Sequence, residues 1–318
     1  MALIADLLLQ AVQMMLVVAI APALLGVTRK IKARLLRRVG PPVLQPYSDL
    51  WKLMHKEAVL ADNASWVYRV APYLIFAATW VAAALVPSYA TGLLFSWSAD
   101  LIAIVALLGT ARFALALAGM DVGTAFGGIG ASREMMIASL AEPAMLLIVF
   151  TVALVAGTTQ LSAIATLFAT GPVGLRVSLG LGLFAFLFVA IAENARIPID
   201  NPATHLELTM VHEAMVLEYS GRHLAMIEAA AALKLVLYFS LIICLFFPPG
   251  IAAPGAGLPA YALGISVYLV KLLALAVLLP IGETSVAKMR VFRYPIFLGS
   301  AFVAAALAVF LLFVSKGF

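Results

Sequence analysis

The sequence predicts an all-α protein, a polytopic membrane helix bundle of about eight transmembrane helices with a cytoplasmic amphipathic helix in the first loop. Three observations carry this. Only 11% of the 318 residues are charged and 65% are hydrophobic, whereas roughly a quarter of a soluble domain is charged; mean hydropathy is +1.12. The apolar residues gather into runs of about the 20 residues needed to cross a hydrocarbon core. Lysine and arginine concentrate on alternate connections between those runs.

The runs cover about 3–26, 68–88, 100–119, 135–157, 174–194, 224–247, 261–281 and 295–315. The remainder is mostly connection, so one integral membrane domain over 1–318 is expected, with cytoplasmic loops at about 28–67, 120–134, 195–223 and 282–294. No basic segment precedes the first run and Asp6 sits near its start, which reads as a retained span rather than a cleaved signal. After it, TRKIKARLLRRVGPPVLQPYSDLWKLMHKE (28–57) begins as a basic helix, breaks at Gly40, Pro41 and Pro42, and resumes as a short helix after Pro46. There Leu50, Leu53 and Met54 recur at helical spacing opposite Asp49, Lys52 and Lys56, a pattern suited to lying in the interface plane. Attraction to anionic lipid and docking of a cytoplasmic partner are both compatible with it. The loop AGMDVGTAFGGIGASREMM lacks the spacing and preceding strand of a phosphate-binding fingerprint. Its Gly123, Gly127, Gly128 and Gly130 read as residues for tight turns and close helix approach.

Orientation follows from charge. The segment from Arg29 to Arg69 holds nine basic residues and the one after the seventh run holds Lys288, Arg290 and Arg293, whereas 89–99, 158–173 and 248–260 hold none. Basic connections stay cytoplasmic, so both termini are expected on the outer side of the membrane. The net charge of +5 is explained by this bias, so it gives no reason to expect a nucleic-acid partner. The single cysteine, Cys244, falls in the sixth run and reads as a small buried residue. One thiol closes no intrachain disulfide and holds no iron–sulfur cluster, which usually takes four cysteines.

Residues 193–223, ENARIPIDNPATHLELTMVHEAMVLEYSGRH, concentrate five carboxylates and three of the four histidines. Asn201 as N-cap, Pro202 at the first position and Gly221 as a stop predict a helix over 202–220, on which Glu207 and Glu218 share a face and His205 and His212 another. Metal spacing is missing: His212–Glu213 has no second histidine of H-E-x-x-H, His205–Leu206–Glu207 has no P-C-x-x-C, and no E-x-x-H pair is present. A proton path is better motivated, because carboxylates and imidazoles at short intervals can each hold a proton. Glu142 in the fourth run, Glu193 at the end of the fifth and Glu228 in the sixth are intramembrane acids, which normally face a bundle interior or hydrated cavity; Lys234 and Lys271 are available to pair with them. The proton-path or coupling set is therefore Glu142, Glu193, Glu207, Glu213, Glu218 and Glu228, with His212 a weaker member. Polar contacts between helices are the bland alternative for any one of these. Arg196 and Asp200, around Pro198, are expected to hold the turn before the helix by a salt bridge.

RVGPPVLQPYSDLWKLMHKE and ENARIPIDNPATHLELTMVHEAMVLEYSG resemble the membrane subunit shared by respiratory complex I (its subunit 1) and the group 4 membrane-bound nickel–iron hydrogenases, including formate hydrogenlyase. The likeness covers nearly the whole chain. Quinone-reducing members carry an acidic P-E-x-E-x-E run, whereas here Pro202 is followed by Ala203, Thr204, His205, Leu206 and Glu207. Only the last acid remains. The glycine-containing insert of the first loop is reduced to Pro42, Val43 and Leu44. HLELTMVHEAMVLEYSG and ETSVAKMRVFRYP (283–295) are similar to the formate hydrogenlyase and hydrogenase-4 branch.

The resemblance implies a non-redox subunit that anchors a hydrogenase-like arm on the cytoplasmic face and links hydrogen evolution to proton or sodium movement. It implies a nickel–iron centre and iron–sulfur clusters in partners, namely a hydrogenase-like large subunit and an iron–sulfur small subunit, beside antiporter-like membrane subunits, with no cofactor, metal or catalytic residue in this chain. Arg34, Arg37, Arg38, Asp49, Lys52, Lys288, Arg290 and Arg293 are the docking-face candidates. A quinone-site subunit of an NADH:quinone oxidoreductase is the alternative.

Overall fold

The computed structural model describes residues 2–171, 176–198, 210–286 and 293–316. In chain order its helices are α1 (Ala2–Leu35), α2 (Gln45–Met54), α3 (Trp66–Leu85), α4 (Leu101–Asp121), α5 (Ala125–Ala156), α6 (Leu161–Thr170), α7 (Val177–Glu193), α8 (His212–Val216), α9 (Gly221–Phe246), α10 (Leu258–Ser285) and α11 (Tyr294–Lys316). Among the described residues there is no strand, only isolated bridges at Ala90–Ala252 and Asp100–Gln160. Among the described residues seven helices, α1, α3, α4, α5, α9, α10 and α11, are long and apolar enough to cross a membrane. The remaining predicted run is α7, 17 residues long, at the lower limit of the roughly 17 to 25 that can span.

Helix boundaries have local causes. Ser65, Asp100 and Thr124 precede α3, α4 and α5, and each side chain accepts a hydrogen bond from a backbone N–H of the first turn, satisfying a donor that lipid could not. Gly157 ends α5 with φ of 73°, a left-handed cap that glycine adopts without strain. Pro22, Pro72, Pro143 and Pro280 lie inside long helices, as membrane helices tolerate when neighbours re-satisfy the freed backbone.

The core is centred on α9, which packs on α3 and α1; from Leu233 to Leu245 every residue but Lys234 is buried. Buried alanines, including Ala82 and Ala83 on α3, Ala114 and Ala118 on α4, and Ala141 and Ala144 on α5, let the helices approach closely where polar and hydrophobic driving forces are weak. On the far side α11 packs on α5 and α7, while α10 packs on α1.

Three expectations change. The connection 158–173 contains α6, whose Leu161, Ile164 and Ala165 are buried; its apolar face has a core to enter although it is too short to span. The glycine-rich loop shrinks to residues 122–124, because α5 already begins at Ala125 under the Thr124 cap. Gly127 and Gly130 do mediate close approach: a Cβ on Gly127 would sit 2.1 Å from the Gly119 carbonyl oxygen, and one on Gly130 would sit 2.9 Å from that of Val211. Gly128 faces open space. The third change concerns 202–220. Within the described part, only His212–Val216 is helical, with Val211 before it outside helical geometry. Tyr219 instead turns to stack on Tyr68, with ring centroids 3.9 Å apart, and donates its hydroxyl to the Tyr68 carbonyl at 3.0 Å. Burial of Met215, Val216 and Tyr219 outweighs continuing an exposed helix, whose stability comes mostly from tertiary packing. Gly221 marks a break, as the first residue of α9 with φ of 53°. Residues 199–209, with Asp200, Asn201, His205 and Glu207, lie outside the described residues.

Candidate functional site: a buried charge cluster beside a polar cavity

Arg112 lies mid-way along α4 with 6% of its surface exposed. Its Nη1 is 2.6 Å from Glu142 Oε1 on α5, its Nη2 2.5 Å from Glu193 Oε1 on α7, and its Nε 3.7 Å from Glu134 Oε1. The other oxygen of Glu193 lies 3.0 Å from Lys234 Nζ on α9. Four helices thus contribute three carboxylates and two cations to one network, buried around Arg112 and Glu193 and opening at Glu142, whose side chain is 44% exposed. Such a network persists only when its charges are mutually paired. With all five ionised it carries one excess negative charge, so a single added proton would neutralise it.

Sequence reasoning found Glu142 and Glu193 and proposed Lys234 as a partner, but missed Arg112 and Glu134. The signal was available: Arg112 is the only charged residue between Asp100 and Asp121, and a charged residue within an apolar span is itself a site hypothesis. Lys271 pairs with no acid among the described residues; its ammonium donates to the carbonyls of Phe247 and Pro249 at 2.6 and 2.5 Å, where α9 has ended and left carbonyls free.

A second set lies nearby. Glu283 on α10 has a side chain 2% exposed, 2.6 Å from Lys32 of α1 and 3.6 Å from Arg196 of the turn after α7. That turn is set by Ala195 at φ of 49°, by the Asn194 side chain donating to the Ala190 carbonyl at 2.8 Å, and by the Arg196 amide donating to Ile191 at 3.0 Å. Burial lowers the Arg196 guanidinium from its usual range, with Glu283 opposing. The expected partner Asp200 lies outside the described residues; among the described ones Arg196 lies beside Glu283.

A polar cavity of about 290 Å³ adjoins this second set, lined among others by Arg29, Lys32, Arg196, His212, Glu213, Glu228 and Glu283. A smaller cavity of about 40 Å³ is lined by His212 together with Arg112, Glu134 and Lys234. A third, of about 10 Å³, is lined by Arg112, Glu142, Glu193 and Tyr238. His212 is therefore common to the first and second, and Arg112 to the second and third. Burial holds the imidazole far below its usual range, at about 4, and the Lys234 cation adds to this. At neutral pH it is uncharged, able to accept a proton at one nitrogen and donate one at the other.

Of the predicted proton-path set, Glu142 and Glu193 are in the cluster, and His212, Glu213 and Glu228 line the cavity. Glu218 is exposed and lines none of these cavities. Glu207 lies outside the described residues. Pro198 is buried beside Arg196, following a cis Ile197–Pro198 bond. Among the docking candidates Arg34, Arg37, Arg38, Lys52 and Arg293 are exposed, and Asp49 is half-buried, accepting from Gln45 Nε2 at 2.8 Å; Lys288 and Arg290 lie outside the described residues. No group of three or more His, Cys, Asp or Glu among the described residues is arranged to hold a metal ion.

Fold and site together define a polytopic membrane subunit built around buried ion pairs. The NADH dehydrogenase family model matches residues 8–314, and the chain belongs to that family. It is 33% identical to formate hydrogenlyase subunit 4 of Escherichia coli strain K12 over 280 residues, covering 88% of this chain and 90% of that protein. It is likewise 33% identical to hydrogenase-4 component C of the same organism over 278 residues, 87% of each chain. NADH-quinone oxidoreductase subunit 8 of Rhodothermus marinus is 30% identical over 238 residues, 71% of this chain and 69% of that protein. Among solved structures, a chain of the membrane-bound sulfane sulfur reductase, an archaeal respiratory membrane complex, superposes with a TM-score of 0.79 at 21% identity, covering 96% of this chain and 99% of that one. That likeness bears on the fold. The chain is a membrane subunit of the hydrogenase, formate hydrogenlyase and complex I-like families, whose members belong to multi-subunit respiratory complexes.

Proposed function

We propose that this protein is the non-redox anchor and coupling subunit of a membrane-bound nickel–iron hydrogenase or formate hydrogenlyase complex. In this reading Arg34, Arg37, Arg38, Asp49, Lys52, Lys288, Arg290 and Arg293 face a cytoplasmic arm made of a hydrogenase-like large subunit and an iron–sulfur small subunit. Antiporter-like subunits adjoin the bundle in the inner membrane, and both termini lie outside. The nickel–iron centre and clusters reside in the partners. This chain supplies a route for protons.

The observation that carries the reading is the sharing of side chains between cavities. Protons enter the polar cavity at Glu213 and Glu228, pass the neutral His212 imidazole, and reach the carboxylates around Arg112, where one proton removes the excess negative charge. Electron transfer in the arm is coupled to occupancy of that cluster through the segment carrying Glu207 and His212. The hydrogenase assignment is supported over the quinone alternative by the higher identity across a larger share of the chain, and by the missing acids after Pro202.

The test is purification of the complex through a tag on this chain, with metal analysis, hydrogen evolution and ion uptake in proteoliposomes. Nickel in the complex and hydrogen evolution coupled to uptake support the reading; inhibitor-sensitive quinone reduction without nickel replaces it. Glu142→Gln and Glu207→Gln should leave assembly intact and lower ion uptake per hydrogen evolved. If both variants pump like the parent, the proton route assigned here is wrong.

A further inference from the structure

On the side of Arg196 and Glu283 away from the polar cavity lies a much larger chamber, of about 990 Å³, between α7, α9, α10 and α11. It reaches the upper end of the roughly 300 to 1,000 Å³ usual for ligand pockets. Its walls are hydrocarbon and aromatic, with Leu187, Phe188, Phe239, Leu279 and Phe297 among them. Along α7 it runs from Leu183 to Asn194, about 16 Å at 1.5 Å rise per residue. The space exists because α10 leans on α1 while α11 leans on α5 and α7. The two helices diverge, and nothing in the described chain fills the gap between them.

The chamber's polar end has a definite charge. Arg196, Arg293 and Glu283 line it, and Lys32 reaches Glu283 from the polar cavity at 2.6 Å. Two cations thus line this end against one carboxylate, which is itself shared with Lys32. Basic pockets between membrane helices suit anionic lipid headgroups, each basic residue contributing to the preference. A neutral isoprenoid would fill the walls but leave the positive surplus uncompensated, and so would an apolar helix of a partner.

We propose that the chamber is a binding site for an anionic glycerophospholipid, held as a structural part of the subunit. Its phosphate lies against Arg293 and Arg196, and its acyl chains fill the space between α7, α9, α10 and α11. The lipid seals the apolar side of the Arg196–Glu283 pair and so isolates the polar cavity from the bilayer. The site stands whether or not the hydrogenase reading does.

The full chain, extracted with its neighbours in lipid-preserving nanodiscs and moved into mild detergent, should retain phosphatidylglycerol or cardiolipin in preference to phosphatidylethanolamine, as read by lipid mass spectrometry. Arg293→Gln should lower that preference about fivefold, the worth of one basic residue near an anionic surface. Gly282→Phe, at a lining position where a Cβ meets open space, should lower total retained lipid. A photoreactive residue at Leu279 in the otherwise unchanged chain should label phospholipid. Equal retention of anionic and zwitterionic lipid, unchanged retention in both variants, or labelling of a polypeptide or an isoprenoid would each overturn the proposal.

Discussion

Arg112 and Glu193 are joined across α4 and α7 at 2.5 Å, with side chains only 5% and 2% exposed. Removing one member of such a pair leaves a buried charge without its partner, which costs about 3–5 kcal/mol. Arg112→Met should therefore sharply lower the thermal stability of the purified protein, and Glu193→Leu should do so less, because Lys234 loses its partner while Arg112 keeps Glu142. The double variant should recover only part of the loss, since the mutual pair is gone at little cost while Glu134 and Glu142 have lost Arg112 and Lys234 has lost Glu193. Additive losses in the double-mutant cycle would mean that the pair is not the structural link described.

The pairing could be read from the sequence only in part. The eight apolar runs, their alternating charge and the break at Gly40–Pro42 were legible because a bilayer enforces length and charge asymmetry on every span. Glu142 and Glu193 were legible as acids in apolar surroundings. That they meet on Arg112 was not, because helix-to-helix register depends on which alanines allow close approach, and alanines abound in every span. The C-terminal part of the predicted 202–220 helix, from 217 on, was misread because a stop signal such as Gly221 is local, whereas the stacking of Tyr219 on Tyr68 is tertiary.

His212 gives the site a pH dependence. Its folded value is about 4, below the usual 6.5 or so. Between those values the unfolded chain binds a proton that the folded one refuses, so stability rises with pH across this window. The contribution is fully present above about 6.5 and declines as pH falls toward 4. Melting temperature measured from pH 4 to 8 should fall on the acid side in the parent. In His212→Gln that part of the slope should vanish; an identical slope in both would place the imidazole in water rather than between the two cavities.

The glycines of the α4–α5 turn separate by what surrounds them. Gly127→Ala drives a methyl toward the Gly119 carbonyl at 2.1 Å and should cost about 1–3 kcal/mol, the usual range for overpacking. Gly128→Ala meets open space and removes a helix-interior glycine, so it should be neutral or stabilise by up to about 1 kcal/mol. Thermal unfolding of the two variants side by side reads the difference. Equal effects would mean that the turn does not depend on the crossing of α5 over the end of α4.

Gly221 ties the first cytoplasmic loop to the start of α9. A Cβ there would lie 2.4 Å from the Glu57 carbonyl oxygen, and the backbone φ of 53° disfavours any other residue. Beside it, the Ser220 hydroxyl accepts from the Val59 amide at 2.8 Å and donates to the Val59 carbonyl at 2.9 Å. The loop that follows α2 is thus held at the base of the helix that carries Glu228 and Lys234. Gly221→Ala combines a steric clash with left-handed strain of about 1–3 kcal/mol and should release residues 56–60 from that seam. Ser220→Ala, which removes two hydrogen bonds and adds no clash, should release them less, at about 1 kcal/mol for each bond lost. Protease cleavage between His55 and Asn63 should therefore quicken in the order parent, Ser220→Ala, Gly221→Ala. Cleavage at the parent's rate in both variants would show that the loop is held by the lipid face of α2 instead.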